Sequence, residues 1–284
     1  MDWKYYNHAI LPAAAPKEKI ELPVLADELF KKYPSALMIR YTTDIDKYEE
    51  TQWWHCIKDT KFDISSLKSK HRNVIKNGIK NFDVKVINVT EYIDELYELR
   101  LDANKGYDYK ISITKEDIRK ECEYINSIKT SIVLGAFLKS ENSDNGKLCG
   151  YLWLNENGKC IELIEQKVIR EYERLQVNAS LVHYACVLYN DKIDEGYYLY
   201  DGERNVVHKT AFQDYLIKYF GFRRAYCKLN IIYNKKIRWI VKILYNMRYI
   251  IRPVIKRKDM KLFYNLNGIL LLEDILRWQK DEKI

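Results

Sequence analysis

The 284-residue sequence predicts an α/β chain of mixed α+β type: a mixed sheet flanked by helices, with an N-terminal extension and C-terminal helices. Three observations carry that expectation. Hydrophobic residues make up 47% and charged residues 31%, with only 10 glycines and 5 prolines, a globular composition that excludes disordered and collagen-like chains. Apolar residues recur at three-and-four spacing in some segments and alternate in others, so helices and strands are both expected. From Asp83 to Tyr233 these segments follow the order β, α, α, β, β, β, α, β, α, β.

Before Asp83 the pattern is dominated by breakers. Pro12, Pro16, Pro23 and Pro34 make Leu11 to Pro34 loop-rich, with one short helix near Leu25 to Lys32 and strands following at Ala36 to Tyr41 and Trp53 to Lys58. Ser65 to Asn81 reads as a helix with Ser65 or Ser66 as N-cap and Gly78 near its end. Its bases Lys68, Arg72, Lys76 and Lys80 form one stripe with no acid between Ser65 and Asn81, which makes Arg72 and Lys76 candidates for binding an anionic substrate; a solvated face is the competing reading.

From Asp83 the elements are cleaner. Val84, Val86 and Ile87 mark a strand, and Tyr92, Leu96, Leu99 and Ala103 mark a helix. A second helix, to about Ile128, opens on the capping signature Thr114-x-x-Asp117. Ser131 to Leu138, Leu148 to Leu154 and Cys160 to Val168, separated by polar glycine-containing intervals, form an antiparallel meander. The helix carrying Val177, Leu181, Val182 and Ala185 leads to a strand at Tyr197 to Tyr200, a βαβ unit whose two strands should lie parallel. A helix with Phe212, Leu216 and Phe220 on one face, capped by Thr210 and Gln213 and ended by Gly221, precedes a strand at Arg224 to Tyr233.

Composition also limits the function classes. The six cysteines are scattered without C-x-x-C or a histidine at ligand spacing, so no metal is expected and the thiols should be reduced. No basic-then-apolar leader opens the chain and no run of about 18 uncharged apolar residues occurs, which reads as cytoplasmic. The net charge is +8, and Lys235 to Lys261 alone carries ten bases against the single acid Asp259. In that segment Ile237, Ile240, Val241, Leu244 and Met247 share a helical stripe expected to dock on the core. The surplus of bases over residues 235–261 suits an anionic membrane surface, hence a peripheral seat at its inner face, or a tRNA; DNA is not expected.

The order of elements after Asp83 resembles the GNAT acyltransferase fold over roughly half of the chain. The helix Leu67 to Gly78, with Arg72-Asn73-Val74-Ile75-Lys76-Asn77-Gly78, is similar to the Arg-x-x-Ile-(Arg/Lys)-x-(Gly/Ala) helix of Fem-type peptidoglycan aminoacyltransferases. Lys218-Tyr219-Phe220-Gly221-Phe222 resembles that group's late segment. Asp201-Gly202-Glu203-Arg204-Asn205 is similar to a stretch in uncharacterised GNAT-like proteins of bacterial surface-polysaccharide clusters. The resemblance implies three parts: an N-terminal region 1–82 that is a partial second GNAT-like unit, an acyltransferase domain 83–233, and basic amphipathic helices 234–284. It also implies N-acyl transfer to an amino group of a small-molecule, amino-sugar or cell-envelope precursor, lipid-linked acceptors included.

The resemblance implies acyl-CoA, such as acetyl-CoA, as the donor, with aminoacyl-tRNA as the alternative. GNAT enzymes hold pyrophosphate on an (Arg/Gln)-x-x-Gly-x-(Gly/Ala) turn at a helix N-terminus. Here Arg174-Leu175-Gln176-Val177-Asn178-Ala179, followed by Ser180, matches at Arg174 and Ala179, but Val177 replaces the glycine. That departure leans toward the Fem-type donor, or toward a degenerate module that binds a precursor without transferring. Amine attack also needs a base, and the carboxyl ends of the parallel strands are where one belongs. Glu165 and Glu203 are candidates, with Asp201 as base or substrate ligand, Tyr200 and Arg204 as substrate contacts and His208 as proton shuttle. Asp201-Gly202 as a plain turn is the competing reading.

Overall fold

The computed structural model describes all residues except 1, 19, 21–25, 107–111, 140–145, 206–210, 256–260 and 284. Its strands are β1 (Trp3–Tyr6), β2 (Ala9–Pro12), β3 (Met38–Thr43), β4 (Trp53–Lys58), β5 (Phe82–Ile87), β6 (Ser131–Leu138), β7 (Leu148–Asn157), β8 (Cys160–Val168), β9 (Tyr198–Glu203) and β10 (Arg223–Tyr233). The helices are α1 (Ala26–Lys32), α2 (Ser69–Asn81), α3 (Ile93–Asn104), α4 (Lys115–Ser127), α5 (Val177–Leu188), α6 (Asn190–Asp194), α7 (Ala211–Phe220), α8 (Lys235–Asn246), α9 (Arg248–Ile255) and α10 (Lys261–Asp281). The chain divides into two compact units: one of residues 1–56, 203–211 and 224–284, the other of residues 57–202 and 212–223. The expected boundaries at 82 and 234 fall inside these units, because α2 packs on α5 in the second and β10 pairs with β3 in the first.

In the second unit the strand order is β9-β8-β7-β6-β5. β5 to β8 pair antiparallel, as the meander pattern requires, and β8 pairs parallel with β9 through Cys160↔Tyr198, Ile161↔Leu199 and Glu162↔Tyr200. α3 and α4 cover one face, where Leu96, Leu99, Ile118, Cys122 and Ile125 meet Val133, Phe137 and Tyr151. The α4 start follows its sequence signature: Thr114 caps the Asp117 N–H and Asp117 reaches back, worth about 1 kcal/mol. α5 covers the other face. It sits close because Gly150 has no side chain, and a Cβ there would come within 2.8 Å of Val168, 3.1 Å of Val177 and 3.2 Å of Leu181.

The α2 start corrects the expectation. Asp63, not Ser65 or Ser66, caps a single 3₁₀ turn at Ile64–Ser66, accepting from the Ser65 N–H, and α2 begins after it. The Ser65 hydroxyl donates to the same carboxylate and the Ser66 hydroxyl to the Asp63 carbonyl, so both are turned back to Asp63 rather than onto α2. Gly78 is not a terminator either. It lies buried inside α2 where the helix crosses α5, and its missing side chain leaves the backbone of Gln176 and Ser180 room. Gly221 does end α7, with φ at 69°. Of the cap expected there, Thr210 lies outside the described residues, and Gln213 donates from its amide to the Asp201 carbonyl.

In the first unit the order is β1-β2-β3-β10-β4, with β1 and β2 an antiparallel pair, β2 parallel to β3, and β3 antiparallel to β10. The β1–β2 hairpin falls where the sequence reads as loop. Asn7 and His8 take left-handed conformations between the strands, which only the turn itself requires. α10 packs Leu272 and Ile275 against Trp53, Cys227 and Leu229. Gln279 both donates to and accepts from the Leu229 backbone. α8 docks through Val241 and Tyr245 with Ile237 and Leu244 half-buried, whereas Ile240 and Met247 of the expected docking stripe face outward. Tyr245 fixes that rotation by packing on Leu270 and donating to Asp274.

Candidate active site

β8 and β9 are nine and six residues long, yet their ladder stops after Glu162 and Tyr200. Beyond that point the two parallel strands have no mutual pairing, and among the described residues the ladder of β8 from Leu163 to Val168 runs to β7. A bulge between Trp153 and Leu154 in the β7–β8 register turns the strand there and leaves Ile164 without a β7 partner, 43% exposed. The carboxyl end of a parallel strand, kinked and parted from its parallel neighbour, can offer backbone N–H groups to an incoming carbonyl.

Register decides which side chains share a face. Tyr151 and Trp153 of β7 pair with Lys167 and Glu165 of β8 on the face covered by α3, and Tyr200 lies on that same face through Glu162 and Asn155. Leu199 pairs with Ile161, which pairs with Glu156 in line with Gly150 under α5, so Asp201 projects to the α5 and α7 side. Glu165 and Asp201, both expected near one cleft, stand on opposite faces of the sheet. Glu203 and Arg204 belong to the first unit, where Glu203 ion-pairs with Arg40 at 3.1 Å and Arg204 donates through its backbone N–H to Trp54 and its guanidinium to Gln52. His208 lies outside the described residues.

The α3 face holds a compact network that the sequence did not announce beyond Glu165. The Tyr151 hydroxyl donates to Glu165 Oε2 at 2.5 Å, and Arg100 donates through Nε to the Tyr151 oxygen at 2.5 Å. A terminal nitrogen of Arg100 reaches Glu165 Oε2 at 2.6 Å and Glu121 Oε1 at 2.5 Å. Glu165 Oε1 lies 3.9 Å from the Lys167 ammonium. Burial, with Glu165 beside it, pushes the Tyr151 hydroxyl far above the ordinary phenol range, so it remains a donor. Burial disfavours charge on Arg100, but Tyr151, Glu165 and Glu121 outweigh it and hold the guanidinium protonated. Arg100 sits on α3, Glu121 on α4 and Tyr151 on β7; no local spacing links them, which is why pattern reading found only Glu165.

On the opposite face burial pushes the Asp201 carboxyl up to about 7, against the lowering effect of the Gln213 amide. Asp201 is thus poised to exchange a proton near neutrality.

The N-terminus of α5 is closed rather than open. Gln176 enters it in a left-handed conformation at φ 68° and makes no side-chain cap. Val177, Ala179 and Ser180 are buried. At the crossing with α2, a Cβ on Gly78 would stand 2.6 Å from the Gln176 carbonyl and 3.0 Å from the Ser180 nitrogen. The amide of Gln166 on β8 donates to Asn178 at 2.6 Å. Arg174 is exposed in the preceding 3₁₀ turn. On α2, Arg72 donates to the Ser65 carbonyl, and Lys68, Lys76 and Lys80 are exposed. All six cysteines are buried thiols outside any disulfide, and burial raises the Cys186 thiol to about 12, so it is no nucleophile.

No family model matches the chain and no curated protein matches it. Among solved structures it is similar to FemX, at 8% identity and a TM-score of 0.51 over 74% of this chain and 75% of that one. L-PGS from Bacillus licheniformis aligns at 11% identity and TM-score 0.49 over 88% and 85% of the two chains. A tandem GNAT protein from the clavulanic acid biosynthesis pathway aligns at 11% and 0.43 over 73% and 67%. The likeness to FemX shows the fold alone: a mixed sheet flanked by helices, as the order of elements predicts.

Proposed function

We propose that the protein is a GNAT-fold transferase that moves an acyl group from an activated carrier onto an amino group of a small-molecule, amino-sugar or cell-envelope precursor, lipid-linked acceptors included. The observation that carries this reading is the parting of β8 and β9 after Glu162 and Tyr200, with proton-handling side chains on both faces beside it. In this reading the acyl carbonyl lies against the open backbone edge of β8, whose N–H groups meet the developing oxyanion. The amine attacks as a neutral nitrogen. Glu165 takes its proton, oriented by Arg100 and Tyr151, and the Tyr151 hydroxyl is the nearby donor for the departing group. Asp201 is the competing base, favoured by its titration near neutrality.

Aminoacyl-tRNA is the donor we favour, because the α5 first turn is filled by Val177 and crossed by α2 at Gly78, leaving little for a pyrophosphate to approach. Acyl-CoA is the second reading, favoured by the open β8 edge, onto which an extended amide-bearing arm can pair. A transfer assay with each donor separates them: coenzyme A raising the melting temperature would reverse the preference, since a bound ligand stabilises the native state. Neither donor stabilising the protein or losing its acyl group would leave a non-catalytic binding module.

A further inference from the structure

The outward face of α8 and α9 is apolar, which docking on the core does not explain. Trp239 is 69% exposed, Ile243 57% and Ile240 53%, with Met247, Tyr249 and Ile250 continuing the exposed set into α9. At 100° per residue Trp239, Ile243, Met247 and Ile240 fall within one quadrant of α8 or close to it, opposite the docked Val241 and Tyr245. Lys236 lies on this face near its N-terminal end and Lys242 beside it, both exposed, while Arg238 lies further round, toward the side of Tyr245. No acid occurs from Lys235 to Arg252. Not every base of the segment is available: Arg252 pairs with Asp274, Lys235 with Asp27 at 2.7 Å, and Arg248 stacks on Tyr245 and Tyr249. Beside the same face a cavity of about 290 Å³ is lined by Arg238, Lys242, Arg277 and Lys280, with Glu273 among them.

We propose that this face is a docking surface for an anionic phospholipid bilayer, with Trp239, Ile240, Ile243 and Met247 entering the headgroup boundary and Lys236 and Lys242 meeting lipid phosphates. The pairing of exposed aliphatic side chains with a one-signed basic margin selects this occupant. RNA rewards bases and stacking aromatics, but gains little from Ile240, Ile243 and Met247. A second copy of the chain about a two-fold axis brings the same bases face to face. A bilayer buries the apolar side chains and neutralises the margin at once. Among the described residues no helix is long and apolar enough to cross a membrane, so the surface lies on the bilayer. It stands independently of the transfer reaction proposed above.

Flotation of the full chain with vesicles of phosphatidylcholine alone, or with 30% phosphatidylglycerol, tests it. Binding is expected to the anionic vesicles at low salt, weakening as salt rises. Trp239→Ser with Ile243→Ser, both exposed, should lower the partition coefficient at least roughly tenfold. Lys236→Gln with Lys242→Gln should lower it roughly 30-fold at low salt, at about 1 kcal/mol per base. Unchanged melting temperatures would show both variants folded. No flotation of the wild type, or flotation indifferent to the serine pair, overturns the proposal. So does tRNA binding lost with the glutamine variant but kept with the serine pair, or a concentration-dependent dimer that only the serine pair dissolves.

Discussion

Asp201 links stability to pH in a direction opposite to most carboxylates. Its folded value is about 7, raised from 3.8, so the native state binds the proton more tightly than the unfolded chain does. Its contribution is complete below about pH 4 and is lost as pH rises through 7. Asp201→Asn should therefore stabilise the protein above pH 7, by roughly 1–3 kcal/mol after discounting for partial exposure, and do little at pH 4. Chemical denaturation at the two pH values checks this, and equal shifts at both would contradict it. Activity divides the two candidate bases. Glu165→Gln should lower turnover roughly 100-fold, whereas a limb near pH 7 that vanishes in Asp201→Asn would move the role there. Arg100→Met is expected to cost about 2–4 kcal/mol, since it leaves Glu165 and Glu121 facing each other without their shared cation.

At the scale of elements, the sequence was most readable where pattern and contact coincide. The meander β6 to β8 and the parallel β8–β9 pair follow directly from alternation and connection order, and the α4 capping box is local chemistry written in four residues. The β1–β2 hairpin was invisible because its strands have four residues each, too few for alternation to register beside Pro12 and Pro16. The docking face of α8 was misread for a different reason. Ile240 and Val241 are equally apolar, and only Tyr245 reaching Asp274 selects the rotation. Gly78 shows a third kind of gap: it looked like a helix terminator, and it is a crossing point set by a distant helix. Gly78→Ala should cost about 1–3 kcal/mol by overpacking against the Gln176 carbonyl, measurable as a lowered denaturation midpoint. Val177→Gly should also destabilise, by about 2–4 kcal/mol, because Val177 is fully buried against β7. Restoring the glycine would then tighten coenzyme A binding only if α2 yields.

The whole molecule joins a fold legible from element order to a site that was legible only in part. Glu165 and Asp201 stand out as candidates in the sequence because strand ends are where chemistry gathers; Arg100, Glu121 and Tyr151 do not, because three separate elements bring them to Glu165. The central claim is that an acyl donor occupies the opening between β8 and β9. Amide hydrogen exchange locates that event directly, since Leu163 to Val168 lack a β9 partner and should exchange faster on that side than the paired residues Cys160 to Glu162. Adding aminoacyl-tRNA, and separately coenzyme A, should slow exchange in 163–168 with at least one of them, and with aminoacyl-tRNA on the reading favoured here. Unchanged exchange across 163–168 with both donors at saturating concentration would contradict the account.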